Sequence, residues 1–178
     1  VSWVLRFHPD AANKTVYWRF VPPPPLGPKE YRRIAVCETF PLYLAAACGH
    51  VQIVEELIEK GAKVDGRDLD SGESALHAAC QLPAEKAKAA MAIVGLLLSA
   101  GTDPNARSKY GVVPLDGAIS SNNMNVVEIL ISSGAELNPD DAPVESPPVF
   151  AACWPDVNDR TAQKLIDLGA DLSVTDTE

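Results

Sequence analysis

The side chains of this 178-residue chain best equipped for catalysis or metal binding are three histidines, four cysteines and 24 Asp/Glu. Catalysis needs such groups to converge. His8 shares a turn-like "HPD" with Asp10, His50 follows Gly49 in "AAACGHVQIV", and His77 lies within "SALHAACQL". No HExxH, GxSxG or P-loop spacing surrounds any of them, so no histidine is set beside a nucleophile or a second ligand. Cys37, Cys48, Cys80 and Cys153 form no CxxC pair and no zinc-ligand spacing. Three of them adjoin alanine in apolar runs, as small buried thiols do in a reducing cytosol or nucleus. The expectation is no catalytic residue, no metal, no cofactor and no enzyme activity, in an intracellular protein of the cytoplasm or nucleus.

The carboxylates are unevenly spread. Residues 1–38 hold six Lys/Arg against three Asp/Glu, and residues 39–178 hold nine against twenty-one, giving a net charge of −9. So acidic a surface repels phosphate backbones, which argues against direct nucleic-acid binding. No stretch reaches the roughly 18 consecutive apolar residues of a membrane helix, since even "AKAAMAIVGLLLSAG" is broken by Lys88 and ends at Gly101. The chain starts at Val1 without a leader pattern and reads as a piece of a longer protein.

The elements behind these residues are repeated. "FPLYLAAACGH", "SALHAACQL", "VPLDGAISSNN" and "PPVFAACWP" align on Leu42, Leu76, Leu115 and Val149, with gaps of 34, 39 and 34. Each is followed by a second landmark, "LIEKGAKVD", "LLSAGTDPN", "LISSGAELN" and "LIDLGADLS", whose glycines Gly61, Gly101, Gly134 and Gly169 are 40, 33 and 35 apart. Within the first unit Pro41 suits a first helical turn, and Leu42, Ala45 and Ala46 fall on one helical face before Gly49 ends the helix. Ile53, Val54, Leu57 and Ile58 make a second stripe, with Glu55, Glu56, Glu59 and Lys60 on its wet side. Neither helix buries its stripe alone, whereas stacked helix pairs share a continuous core. The fold class is therefore mainly α, a solenoid of stacked helix pairs.

These landmarks resemble the ankyrin-repeat family, whose pattern runs T-P-L-H-x-A-A, then G-H, an Ile-Val and Leu-Leu helix, and G-A-D-x-N. The resemblance covers about residues 39–173. It implies an ankyrin-repeat domain over 39–178, with repeats near 39–70, 71–109, 110–143 and 144–175. The second repeat carries about six extra residues in "QLPAEKAKAAMA", which predicts a longer first helix or a bulged loop between the helices. The family's histidine position holds Tyr43, His77, Asp116 and Phe150, so only His77 keeps the imidazole that the resemblance sets to bond across neighbouring turns. The third repeat has Asn122-Asn123 where the family has G-H. The fourth is degenerate, with Val149 for Leu; either it caps the stack or, the favoured reading, a longer array is cut at "DLSVTDTE".

Ahead of the array, "WVLRF" and "TVYWRFV" alternate around "HPDAANK" and predict an N-terminal β-hairpin in residues 1–38. Pro22, Pro23, Pro24 and Pro25 then run as a polyproline helix, either a stiff spacer or a docking motif for a polyproline-reading domain.

By resemblance, the array binds a partner protein on a concave face formed by turn tips and first helices. The matching tips are Arg67, Asp68, Leu69 and Asp70, then Arg107, Ser108, Lys109 and Tyr110, then Asp140, Asp141 and Val144. Tyr110 is the preferred anchor, because tyrosine offers area and a hydroxyl at little entropic cost. Trp154 is either a second anchor or a cap on a helix pair. Asn105 and Asn138, each eight residues after the core leucine of its second helix (Leu97, Leu130), resemble substrates of an asparaginyl hydroxylase; the alternative is an amide bonded within its own turn. Two other roles stand beside partner binding: a structural unit packing on a neighbouring domain, or the substrate-recruiting part of a multidomain enzyme.

Overall fold

Pro41 opens helix α1 (Pro41–Cys48), where a missing N–H costs no hydrogen bond. The computed structural model describes residues 16–17, 38–39, 41–138 and 159–170. After the turn at Gly49, α2 (Val51–Glu59) returns. The same pairing recurs as α3 (Ala75–Cys80) with α4 (Ala87–Ser99), and as α5 (Pro114–Ser120) with α6 (Met124–Ser132). A seventh described helix, α7, spans Asp159–Asp167. In the third pair Asn122 adopts φ 53 at the turn where the first has Gly49, a left-handed conformation that asparagine tolerates.

First helices pack on first helices, α1 on α3 and α3 on α5, while second helices form a parallel row, α2 on α4 and α4 on α6. Leu42, Leu76 and Leu115 are all at least 98% buried along the first row. Val54 and Leu57, Ile93, Val94 and Leu97, and Val126, Val127 and Leu130 fill the second. Alanines at 45, 46, 78, 79 and 118 let the helices approach closely, and one core runs through the stack. The fourth landmark leucine position, Val149, lies outside the described residues, but Leu165 of α7 is buried in the same core.

One expectation resolves between its two alternatives, and another changes. The extra residues of the second unit do not lengthen its first helix, for α3 is short. They form the other alternative, a longer connection between the helices made of a turn and a 3₁₀ segment, Ala84–Lys86, together with the early part of the 13-residue α4. Pro83 disfavours helix at Leu82 and so stops α3 from extending. Leu82 itself is buried, and Lys86 Nζ donates to the Cys48 carbonyl at 2.9 Å, placing a cation at the C-terminal end of α1. The N-terminal hairpin is not supported either. The ladder described there joins β1 (Val16–Tyr17) to β2 (Glu38–Thr39), antiparallel, with Val16 opposite Thr39 and Tyr17 opposite Glu38. In sequence the two strands are separated by residues 18–37, which lie outside the described residues. The expected first arm, residues 3–7, and Pro22–Pro25 lie outside the described residues.

Candidate functional site

Each of the two described connections between units is a small hairpin whose turn is held by one short polar side chain. In the first, Asp68 N–H donates to the Glu73 carbonyl at 2.8 Å, while Asp68 Oδ2 accepts from Asp70 N–H (3.1 Å), Ser71 N–H (2.8 Å) and the Ser71 hydroxyl (2.9 Å). In the second, Ser108 N–H donates to the Val112 carbonyl at 2.9 Å, and Ser108 Oγ accepts from Tyr110 N–H (3.2 Å) and Val112 N–H (3.1 Å). Asp68 and Ser108 are buried and spent on their own turns, as asparagines, aspartates and serines at turn starts often are. What they hold outward is different: Leu69 at 47% exposure, and Tyr110 at 75%.

The two hairpins are locked together. Lys109 N–H donates to the Ser71 carbonyl at 2.9 Å. Lys109 Nζ donates to the carbonyls of Leu69 and Asp70, and Arg67 Nη1 donates to those of Gly72 and Arg107. Arg107 Nη1 donates in turn to the Gly111 carbonyl at 3.3 Å. Gly72, at φ +72, leaves room for this contact: a Cβ there would lie 2.7 Å from Lys109 Cγ and 3.0 Å from Lys109 N. The result is a groove of about 350 Å³ lined by Arg67, Asp68, Leu69, Gly72, Arg107, Ser108 and Lys109.

Sequence reasoning placed these residues at tips but missed the clasp between tips. Its signals are the Ser-Gly of "DSGES" and the lysine after Ser108, neither of which discloses a contact some 38 residues away. Also missed was a polar row beside the first helices, where Glu73 accepts from the Tyr43 hydroxyl (3.2 Å) and from Gln81 Nε2 (2.9 Å). Asp140, Asp141, Val144 and Trp154 lie outside the described residues.

Behind the tips, the family-histidine position splits three ways. Ser74 N–H donates to His77 Nδ1 at 3.1 Å, so Nδ1 is the acceptor and Nε2–H reaches the Val112 carbonyl of the next unit at 3.0 Å. Burial lowers the His77 pKa, opposed by its bond to Val112, and the ring stays neutral. Tyr43 reaches forward through Glu73. Asp116 Oδ2 accepts from Val113 N–H at 3.0 Å, but Oδ1 is buried without a partner. Burial pushes its pKa up to about 6, against the lowering effects of Val113 N–H and Arg107.

The asparagines are clasps between units rather than within turns. Asn105 Nδ2 donates to the Gly134 carbonyl at 2.9 Å, and its Oδ1 accepts from Glu136 N–H at 2.8 Å. Asn138 Nδ2 donates to the Gly169 carbonyl at 2.9 Å.

On the opposite side of the stack, a groove between α4 and α6 is lined by Gly95, Leu98, Ser99, Thr102, Ile129 and Ser133 and carries no charge. Among the described residues no cluster of His, Cys, Asp and Glu could hold a metal, and no helix is long and apolar enough to cross a membrane.

A family profile described as ankyrin repeats, in three copies, matches residues 24–108. The human 2-5A-dependent ribonuclease is 37% identical over 83 residues, 47% of this chain and 10% of that protein. The Neurogenic locus Notch protein of Drosophila melanogaster is 32% identical over 85 residues, 47% of this chain and 3% of that protein. The chain thus spans a small part of the length of the curated relatives it matches.

Proposed function

We propose that this chain, which belongs to the ankyrin-repeat family, binds a partner protein through the side of the stack formed by its turn tips and first helices. Ankyrin repeats are in general protein–protein interaction modules and typically non-catalytic, and the reading here assigns that role without catalysis to this chain. Helix α7, whose Leu165 joins the same core, is read as the second helix of a fourth unit. The observation that carries the reading is Tyr110, 75% exposed on a tip fastened to its neighbour by backbone and side-chain hydrogen bonds. A large aromatic side chain held on a rigid support loses little entropy on binding. Leu69, 47% exposed on the neighbouring tip, extends the same apolar surface. The thiols of Cys48 and Cys80, both unpaired, suit the reducing cytoplasm or nucleus.

Photo-crosslinking in cells tests it. A photoreactive residue at position 110 is expected to trap partner proteins that one at position 92, exposed on α4, does not, and Tyr110→Ala should remove them without lowering Tm. Equal trapping at both positions refutes the assignment of the binding side.

A further inference from the structure

We infer that the polar row beside the first helices, Tyr43, Glu73 and Gln81, takes an arginine side chain of the partner. The inference rests on the binding side proposed above and adds the chemistry of what is bound there.

The row ties three successive units together. Glu73 Oε2 accepts from the Tyr43 hydroxyl of the first unit at 3.2 Å, and Oε1 accepts from Gln81 Nε2 at 2.9 Å. Gln81 in turn lies across the first helix of the third unit, where a Cβ on Gly117 would come within 3.0 Å of Gln81 Cγ. Glycine inside a helix is destabilising relative to alanine, and here it makes room for the Gln81 stem. A carboxylate only accepts hydrogen bonds, so the amide nitrogen of Gln81 must face Glu73. Its Oε1 is thereby left as a further acceptor beside the carboxylate.

Glu73 is part-exposed, and both of its side-chain donors are neutral. Among the described residues it forms no ion pair. Each carboxylate oxygen has two acceptor positions and uses one, so one remains on each. A guanidinium presents two parallel N–H groups to the two oxygens of a carboxylate and keeps further N–H groups for an acceptor such as Gln81 Oε1. An ammonium is a point charge without that fork. Tyr43 and Gln81 already hold the carboxylate, so little of its freedom is lost on binding. The net charge of −9 draws a basic segment toward the stack. Arg67, whose Nη1 rests on the Gly72 carbonyl, opposes an incoming cation.

The test is an NMR titration of the isotope-labelled full chain, read at the side-chain amide of Gln81. The probe is a peptide of arginine and tryptophan in a glycine-serine background, beside its lysine and citrulline counterparts. The arginine peptide is expected to shift the Gln81 amide signals saturably, the lysine peptide to bind about threefold or more weaker, and the citrulline peptide to leave them in place. Glu73→Gln should weaken the arginine peptide about tenfold, and Gln81→Ala, at an exposed position, about twofold to threefold. Glu55→Gln, which removes the same charge from the exposed side of α2, should leave binding unchanged. Equal loss in the Glu73 and Glu55 variants, equal binding of the lysine or citrulline peptide, or no saturable shift at about 10 mM peptide overturns the inference. If the row fails in this way while partners still crosslink at position 110 and not at 92, the proposed binding side stands. Equal trapping at both positions removes that side, and the arginine site with it.

Discussion

Replacing Asp116 by asparagine isolates one buried carboxyl from all other titrations. Asp116 occupies the position where His77 and Tyr43 reach toward the following unit, but an ionised carboxylate has no proton to donate, and its Oδ1 is left buried without a partner. Its pKa is pushed up to about 6 from 3.8, chiefly by burial. The folded protein therefore binds more protons than the unfolded chain between about pH 4 and pH 6, and stability from this group falls as pH rises through that window. Above it, the full penalty of a poorly solvated carboxylate is present, worth about 2–3 kcal/mol. Asparagine keeps an oxygen for Val113 N–H and removes the charge. Its own packing cost or gain does not change with pH and cancels in the comparison. Urea unfolding followed by circular dichroism at pH 4 and pH 7 should show the stability of Asp116→Asn relative to wild type rising by about 2–3 kcal/mol. His77 makes the comparison necessary. Its lowered pKa gives wild type an opposite slope, stability lost as pH falls below 6.5, so the two titrations partly mask each other in the wild-type curve. A difference that is flat with pH to within about 0.5 kcal/mol refutes the claim that Asp116 is folded into a desolvated site.

Four further outcomes can be checked by the same unfolding measurement. Leu97→Ala, at a fully buried site between α2 and α6, should cost about 2–5 kcal/mol. His77→Ala leaves the Val112 carbonyl and Ser74 N–H without their partner and should cost about 2–4 kcal/mol, with loss of the stability decline below pH 6.5. Gly72→Ala combines φ +72 with a close approach to Lys109 and should cost about 1–3 kcal/mol. Asn105→Ala removes two hydrogen bonds between successive units and should cost about 1–2 kcal/mol.

Most of the architecture could be read from residue types alone. Leu42, Leu76 and Leu115 fixed the first helices, and the glycines after each second helix fixed their ends, because burial periodicity and left-handed turns are local demands on the chain. The exposure of Tyr110 and the reach of His77 to the next unit were legible only through the resemblance to ankyrin repeats. They follow from a position within a repeated unit. The insertion stayed open between two alternatives, and the pairing of Val16-Tyr17 with Glu38-Thr39 was not foreseen, where sequence offered only propensity. Pro83 marks a stop for α3 without saying which neighbouring helix gains the residues, and Val16-Tyr17 is as good a strand for one partner as for another.

What only tertiary structure decided is which charges meet. Arg67 and Arg107 are 40 residues apart, and nothing local says that their guanidinium groups and Lys109 line one groove while Asp68 turns inward. Asp116 likewise looks like any surface carboxylate until packing removes its water. Periodicity sets which side of a helix is greasy, since that depends on i and i+4. Solvation and charge depend on what the next unit places above, and the chain meets that neighbour only on folding.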